Sequence, residues 1–449
     1  MEAKEQFNHM IFIDKEQCIG CSHCVRVCPT QALRVWRGKA TLDDSKCVDC
    51  GDCERVCPVS AIQVKDDFKN QEKSNYRVAL IPAVFWGQFP KDIFRAHIKQ
   101  SIHALGFNEI VEVEESVELL SRQLQNYVNH HQKEKLISSF CPAIVRLIQT
   151  RFPELVSSIA HLKSPVELTA THITRNLKQE EGEDFDFQIF YVTPCAAKAA
   201  AIKNSNDEKP LIHGSINMDL FYNQVNKILN SRKDFVNAEF KDHLSPKSIG
   251  WSLRGGESQY LDAHSLSIDG MNHSIEFLEN IDKEDFKDID FLELKACDQG
   301  CAGGILNPQN RFLCVESLRS RAKENETQNI KPELLLKEDD FQIDEIEERS
   351  VLALDSNPSK ALKMMNKTRR LMCYLPGFDC GACGAPTCKS LAEDVAKGDA
   401  ILSHCVFMQR QMEKHHQLSP SHAFNIIENI WGKDRLDKDC NKKGAINDY

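Results

Sequence analysis

The sequence predicts an α/β protein with a small cluster-binding module at each end, and three observations carry that reading. Residues 12–35 and 41–64 are an internal repeat at an offset of 29, and each copy holds four cysteines. From Tyr76 onward, short apolar runs alternate with helical patterns, and two of the runs end on cysteine-bearing loops. Four more cysteines lie between Cys380 and Cys405, near the end of the chain.

Composition narrows the class. Nineteen cysteines in 449 residues is a high count, and Met1 to Met10 is polar, without the order of a signal peptide. No apolar run approaches the roughly 18 residues that span a bilayer. Abundant cysteine without secretion argues for metal binding over disulfides, in a cytoplasmic protein that does not enter a membrane. The net charge of −10 disfavours nucleic acid as a partner.

Each repeat reads as a strand, a cysteine loop, a helical turn and a second strand (32–35 and 61–64). The loops are Cys18-x2-Cys21-x2-Cys24-x3-Cys28-Pro29 and Cys47-x2-Cys50-x2-Cys53-x3-Cys57-Pro58. Three closely spaced thiolates can wrap one corner of a cubane, while the fourth, redirected at its proline, ligates the other cluster. This is the two-cluster signature of bacterial ferredoxins. It assigns Cys18, Cys21, Cys24 and Cys57 to one [4Fe–4S] cluster, and Cys47, Cys50, Cys53 and Cys28 to a second. The α+β module occupies residues 1–75.

The middle of the chain, 76–320, carries the larger α/β pattern. Residues 78–81 read as a buried strand ended by Pro82, and 93–105 as a helix stopped at Gly106. Strands at 187–192 and 290–294 deliver Cys195 and Cys297 at their C-terminal ends, which suggests a parallel or mixed sheet with its site there. Residues 321–366 are expected to be a charged linker, with eight acidic and three basic side chains in 331–349 forming a solvated stretch.

Residues 367–420 form the last module. Cys380-x2-Cys383-x4-Cys388-x16-Cys405 supplies four thiolates, and its glycines let backbone amides approach cluster sulfurs. The segment resembles a small [4Fe–4S] domain appended to several redox and corrinoid proteins, with zinc as the alternative occupant. A helix is expected over 389–397, ended by Gly398, and another over 423–431 in the tail, 421–449. Cys373 reads as a free thiol, Cys314 and Cys440 as structural or incidental.

Cys141, Cys195, Cys297 and Cys301 are too far apart for spacing alone to unite them. Their segments are Ser139-Phe140-Cys141-Pro142, Thr193-Pro194-Cys195-Ala196-Ala197-Lys198 and Lys295-Ala296-Cys297-Asp298-Gln299-Gly300-Cys301-Ala302-Gly303-Gly304. Together these resemble the active-site loops of [FeFe]-hydrogenases. The resemblance implies a two-lobed domain built around an H-cluster. Its third [4Fe–4S] cubane would be held by these four cysteines, with Cys301 bridging to a two-iron subcluster that carries CO and CN. Lys198 matches the lysine that donates to a cyanide ligand. With the C-terminal cluster, the chain would hold four cubanes and react with H2 and protons. A redox partner such as a ferredoxin would exchange its electrons.

Departures from the pattern bear on rate. The residue before the first ligand is Phe140, where fast hydrogenases have a proton-relaying cysteine, and a phenyl ring has no exchangeable proton. Thr193 and Lys295 stand where methionines are expected, and Ala201 where a glutamate is. Glu112, Glu114, Glu115 and Glu118 are candidates for a proton path, or else a solvated helix face. The pattern resembles the sensory branch of the family, which implies a slow, reversible H2-reacting enzyme acting as an H2 or redox sensor toward a signalling partner protein. A ferredoxin-linked catalytic hydrogenase is one alternative. The other is an iron–sulfur carrier or assembly factor without the two-iron unit.

Overall fold

The computed structural model describes residues 7–68, 76–131, 135–205, 210–232, 234–236, 243–281, 288–325, 333–343, 346–349 and 358–436. Its contacts divide the chain into two units. One joins Phe12–Cys47 and Asp52–Gln63 to Ser350–Tyr449; the other consists of Met1–Ile11, Val48–Gly51 and Val64–Arg349.

The first unit brings the repeat and the C-terminal module into one body. Strand β1 (Ile11–Ile13), β2 (Leu33–Trp36), β3 (Lys39–Leu42) and β4 (Ile62–Val64) make two small sheets, β1 with β4 and β2 antiparallel to β3. The β2–β3 turn is Arg37-Gly38, with φ of 53° and 71°, the left-handed pair that a two-residue hairpin demands. Both turn amides donate to the tail helix Pro420–Trp431: Arg37 to the Asn429 carbonyl at 3.1 Å and Gly38 to that of Ile430 at 2.9 Å. Val35 on β2 donates to the Gly384 carbonyl at 2.8 Å. Gly384 has φ of +80°, and a Cβ there would stand 2.4 Å from the Val35 oxygen, so this approach requires glycine. Arg34 grips both Asp394 oxygens, at 2.7 and 3.1 Å, and the Ser390 hydroxyl donates to Gln31 at 2.6 Å.

The second unit is a doubly layered α/β body. Strands β5 (Arg77–Ile81), β6 (Glu109–Glu112), β7 (Leu136–Ile137), β8 (Gln188–Thr193), β9 (Gly214–Asn217), β10 (Ser265–Asp269) and β11 (Phe291–Lys295) form two sheets. Their orders are β6-β5-β8-β9 and β10-β11-β7, parallel throughout. Buried parallel strands need apolar side chains on both faces, and β5 and β8 supply them in strict alternation. Ala79, Ile81, Phe190 and Val192 enter one core, whereas Val78, Leu80, Ile189 and Tyr191 enter the other. In the smaller sheet, Leu292 and Leu294 of β11 pack against the helix Pro142–Arg151. On the opposite face β11 turns Phe291, Glu293 and Lys295 inward, so that face buries charge.

The strands expected at 78–81, 187–192 and 290–294 are present within one residue, and the helix expected at 93–105 runs Arg95–Ala104. The acidic stretch differs from a solvated linker. Phe341 is buried in the same apolar cluster as Phe140, Asp340 pairs with Arg175, and the Ile343 amide donates to the His161 carbonyl at 3.2 Å. The apolar side chains spaced among its acids, Leu336, Phe341 and Ile346, anchor it. Residues 326–332, 344–345 and 350–357 of that stretch, and Cys440 with the tail end, lie outside the described residues.

Candidate active site and cluster-binding residues

Three of the central segments leave the C-terminal ends of parallel strands. Cys141 follows β7 and precedes the helix Pro142–Arg151, whose leading proline suits a first helical turn. Cys195 follows β8 at the start of the helix Ala196–Lys203. Cys297 follows β11, and Cys301 lies in the helical turn Gly300–Gly303. Backbone bonds lock these loops to one another. The Leu306 amide donates to the Pro194 carbonyl at 3.1 Å, and the Ala296 amide reaches the Cys141 sulfur at 3.5 Å. A Cβ on Gly304 would meet the Pro194 oxygen at 2.4 Å, so the third loop seats on the second only because it is bare there.

The thiols feel one another. Burial pushes Cys195 up to about 12, with Cys301 and Cys141 adding to the rise and Lys198 opposing it. Cys141 is likewise raised, first by burial and then by Cys301. Buried thiols crowded in this way hold their protons until a metal replaces them.

Two ammonium groups flank the thiols. Burial alone would depress Lys198, but Cys301, Tyr191, Cys195 and Glu114 together raise it well above the ordinary lysine value. The groups that raise it are themselves acids, so the ammonium is favoured where they, or an anionic guest beside them, carry negative charge. The Tyr191 hydroxyl beside it is buried with no hydrogen-bond partner among the described residues. A buried cation and an unmatched donor fit an anionic guest, and a cluster with cyanide ligands is one. Lys295 is also held charged against its burial, by Glu257 at 2.5 Å, Glu293 at 3.4 Å and the field of Cys301. Glu293 accepts the amides of Gly255 at 2.9 Å, Glu257 at 3.2 Å and Ser258 at 2.9 Å, and the Ser258 hydroxyl at 2.8 Å. Glu257, raised by burial, has the Ser138 hydroxyl at 2.5 Å besides Lys295.

Phe140 is 8% exposed and tilts against Trp251 with ring centroids 5.6 Å apart, in a cluster that includes Leu162 and Phe341. The ring packs on apolar neighbours, while the Phe140 amide donates to the Ser138 hydroxyl at 3.3 Å. Thr193, which stands where a methionine is expected, turns its hydroxyl to its own loop. Its hydroxyl donates to the Cys195 carbonyl at 2.8 Å and accepts the Cys195 amide at 3.3 Å, so it shapes the loop. Ala201 is exposed.

The glutamates are not a solvated face. Glu112 is buried against Arg321 at 2.9 Å, and Glu114, 2% exposed, accepts the Ala83 amide at 2.8 Å. Burial, with Glu112 beside it, lifts Glu114 to about 8. Glu115 meets His243 at 2.9 Å, and Glu118 accepts the Ser245 hydroxyl at 2.5 Å. Glu257, Ser138, Tyr191 and Trp251 were not singled out by the sequence, since nothing in their spacing connects them to the cysteines.

Around the accessory sites, burial together with Cys21, Cys18 and Cys57 raises Cys24 to about 12. Cys53 is raised by burial, Cys28 and Cys24. Backbone amides point at the sulfurs, Ala40 at Cys18 (3.3 Å), Ala32 at Cys28 (3.2 Å) and Ala61 at Cys57 (3.2 Å). Cys47 is buried and Cys50 partly so. In the C-terminal module, burial lifts Cys383 to about 11, with Cys405 and Cys380 contributing. The Cys388 amide is held by Asp379 at 2.6 Å. Cys373 is exposed, and Cys314 is buried beneath Gln88.

Family comparisons follow this division. Residues 76–243 match the model of the iron only hydrogenase large subunit, C-terminal domain; residues 17–61 match a 4Fe-4S dicluster domain; residues 375–407 match an Fe-S cluster domain. The first match spans Cys141 and Cys195, while Cys297 and Cys301 follow it. An uncharacterized protein of Methanocaldococcus jannaschii, MJ0119, is 39% identical over 61 residues, 14% of this chain and 27% of that protein. The chain thus spans about a quarter of the length of that curated relative. Among solved structures, a variant of [FeFe]-hydrogenase HydA1 from Chlamydomonas reinhardtii is 14% identical with a TM-score of 0.45, covering 59% of this chain and 89% of that one. A HydA(deltaEFG) structure describing stepwise H-cluster assembly is 15% identical with a TM-score of 0.44, covering 58% and 86%. No helix among the described residues is long and apolar enough to cross a membrane.

Proposed function

We propose that this [FeFe]-hydrogenase-like iron–sulfur protein reacts reversibly with H2, 2 H+ + 2 e− ⇌ H2, at low turnover, and serves in the cytoplasm as an H2 or redox sensor. The observation that carries the reading is the mutually coupled set Cys141, Cys195 and Cys301, enclosed by the charged Lys198 and the unmatched Tyr191 hydroxyl.

Cys141, Cys195, Cys297 and Cys301 would hold a [4Fe–4S] cubane, with Cys301 shared with a two-iron unit carrying CO and CN. When bound, that unit supplies the iron at which H2 is split or formed. The protein's own residues set the conditions. Lys198 would donate to an anionic ligand of that unit and offset its charge. Phe140, packed on Trp251, closes the direct proton route, so turnover is slow while the cluster ligands stay intact. Electrons near −410 mV balance protons at pH 7, from about 59 mV per pH unit. All-cysteine clusters reach that range. The two ferredoxin-type cubanes and the C-terminal cubane would carry the electrons to a redox or signalling partner.

The test is reconstitution with the two-iron unit, followed by exposure to H2 or argon. Iron content should reach about eighteen per chain, against about sixteen for four cubanes alone. Under H2, the electron paramagnetic resonance of reduced clusters should grow in slowly. Fully loaded protein whose clusters stay oxidised under H2 would sink the proposal.

A further inference from the structure

The C-terminal module presents a face that the H2 chemistry does not use. Of its four cysteines, Cys388 and Cys405 are buried and Cys383 is partly so, but Cys380 is exposed. Large exposed apolar side chains lie close in sequence to Cys380 and to Cys405. Phe378 is 67% exposed and meets Phe407, itself 45% exposed, edge-on at 5.2 Å, and Tyr374 is 65% exposed. Leaving such rings in water is unfavourable, and a cluster of them beside a cluster ligand marks a contact site.

The helix leading into this face, Pro358–Met372, adds a sign to it. It contains Lys360, Lys363, Lys367, Arg369 and Arg370 and no acidic residue, in a chain whose net charge is −10. Lys360, Lys363, Lys367 and Arg370 recur at intervals of three and four, so they share one flank, which continues to Tyr374. All four are exposed, while Thr368 and Leu375 face inward. By contrast, in the ferredoxin repeat Cys18, Cys24, Cys47 and Cys53 are all buried. The β2 edge beside that repeat is occupied by the C-terminal loop itself, through the Val35–Gly384 bond and the Arg34–Asp394 pair. Trp36 of β2 meets His404, next to Cys405, with ring centroids 5.6 Å apart.

We propose that the Cys380 face, rimmed by Phe378, Phe407 and Tyr374 and flanked by the basic helix, is the docking surface for a small acidic electron-carrier protein. One electron leaves the carrier's reduced iron–sulfur centre, which is oxidised, and enters the C-terminal [4Fe–4S] cluster, which is reduced from the 2+ to the 1+ level; the reverse transfer unloads it. No bond forms or breaks. This rests on the cluster reading of the C-terminal module, but not on the H2 reaction.

The test is stopped-flow mixing of the cluster-loaded full chain with a reduced acidic ferredoxin, followed by bleaching of the carrier and of the chain at several salt concentrations. Electrostatic steering raises association rates by about 10 to 10³-fold at low salt and fades as salt screens it. Wild type should therefore accept electrons fast at low salt and slower at high salt. Lys363→Glu with Arg370→Glu should lose at least about tenfold at low salt and converge on wild type at high salt. Phe378→Ser should slow transfer at every salt concentration without changing its slope. Lys178→Glu and Lys227→Glu, charge reversals in the other unit of the chain, should match wild type, and cluster content in all variants is checked by electron paramagnetic resonance. Absence of transfer to wild type, or equal rates and salt slopes in the double charge reversal, overturns the proposal. A failed H2 reaction is read separately and leaves this result standing. Loss of the C-terminal cluster signal in wild type would instead overturn the cluster reading, and the docking proposal with it.

Discussion

Lys295→Met restores the apolar thioether that the hydrogenase pattern would place there, and the surroundings predict that this chain will not tolerate it. Lys295 is the cation for two carboxylates that are 0–1% exposed, Glu257 and Glu293. Removing one partner of a buried pair costs about 3–5 kcal/mol, because a charge is left without compensation. The two acids are unequally exposed to that loss. Among the described residues, Glu293 keeps four donors, whereas Glu257 keeps the Ser138 hydroxyl alone. Glu257 is therefore the one that takes up a proton, which places the cost near the lower end, about 3 kcal/mol. At roughly 2–4 °C per kcal/mol for a domain of this class, the apparent melting midpoint should drop by about 6–12 °C. Adding Glu257→Gln should recover most of the loss, giving a coupling of about 2 kcal/mol in the double-mutant cycle. The assay is anaerobic thermal unfolding of the cluster-loaded protein at one scan rate, with Lys227→Met as an exposed control. Redox titration of the central cubane provides a second readout: without a cation in the field of Cys301, its potential should move negative. A Lys295→Met midpoint no lower than that of the control, or no recovery in the double variant, would refute the reasoning.

Four other outcomes are expected. Phe140→Cys should raise H2 turnover by about 10²–10⁴-fold if the closed relay limits the rate, at a stability loss of up to about 3–5 kcal/mol from the vacated ring; H2 uptake with an artificial acceptor measures it. Lys198→Met should keep the central cubane but fail to retain the two-iron unit, seen as iron content near that of the cubanes alone. Glu114 holds its proton in the folded chain up to about 8, well above an unfolded glutamate. Its contribution to stability is thus full below about pH 4 and is lost as pH rises through about 8; Glu114→Gln should flatten that decline in denaturation midpoints measured from pH 5 to 9. Gly384→Ala places a methyl 2.4 Å from the Val35 oxygen at a left-handed φ and should loosen the C-terminal module from β2, read as earlier proteolysis within 358–436.

Much of the site was legible because cluster ligation is written locally. The eight ferredoxin-type cysteines and the C-terminal four sit in short runs whose spacing reports their job, and strand ends at 192 and 294 predict where Cys195 and Cys297 emerge. Lys198 was legible only through resemblance, and the structure places it in the field of Cys195 and Cys301. The partners of Lys295 were not legible. Glu257 comes from a loop and Glu293 from β11, and only the pairing of β10, β11 and β7 sets their common buried face. Glu112 and Glu114 read as a solvated face because acids in succession normally are; Arg321 and the Ala83 amide, distant in sequence, make their burial tolerable. The acidic stretch misled for the opposite reason, since one well-placed aromatic, Phe341, outweighs the charges around it. Nor could composition show that both ends of the chain fold together, which depends on single contacts such as Val35 to Gly384.

The most direct test of the central claim is an infrared spectrum in the carbonyl and cyanide stretching region. It is recorded on anaerobic, cubane-loaded protein supplied with the two-iron unit, before and after H2. The account predicts carbonyl and cyanide bands that shift under H2, and their absence from Lys198→Met. Full cubane loading with no such bands would contradict it and leave the chain an iron–sulfur electron carrier.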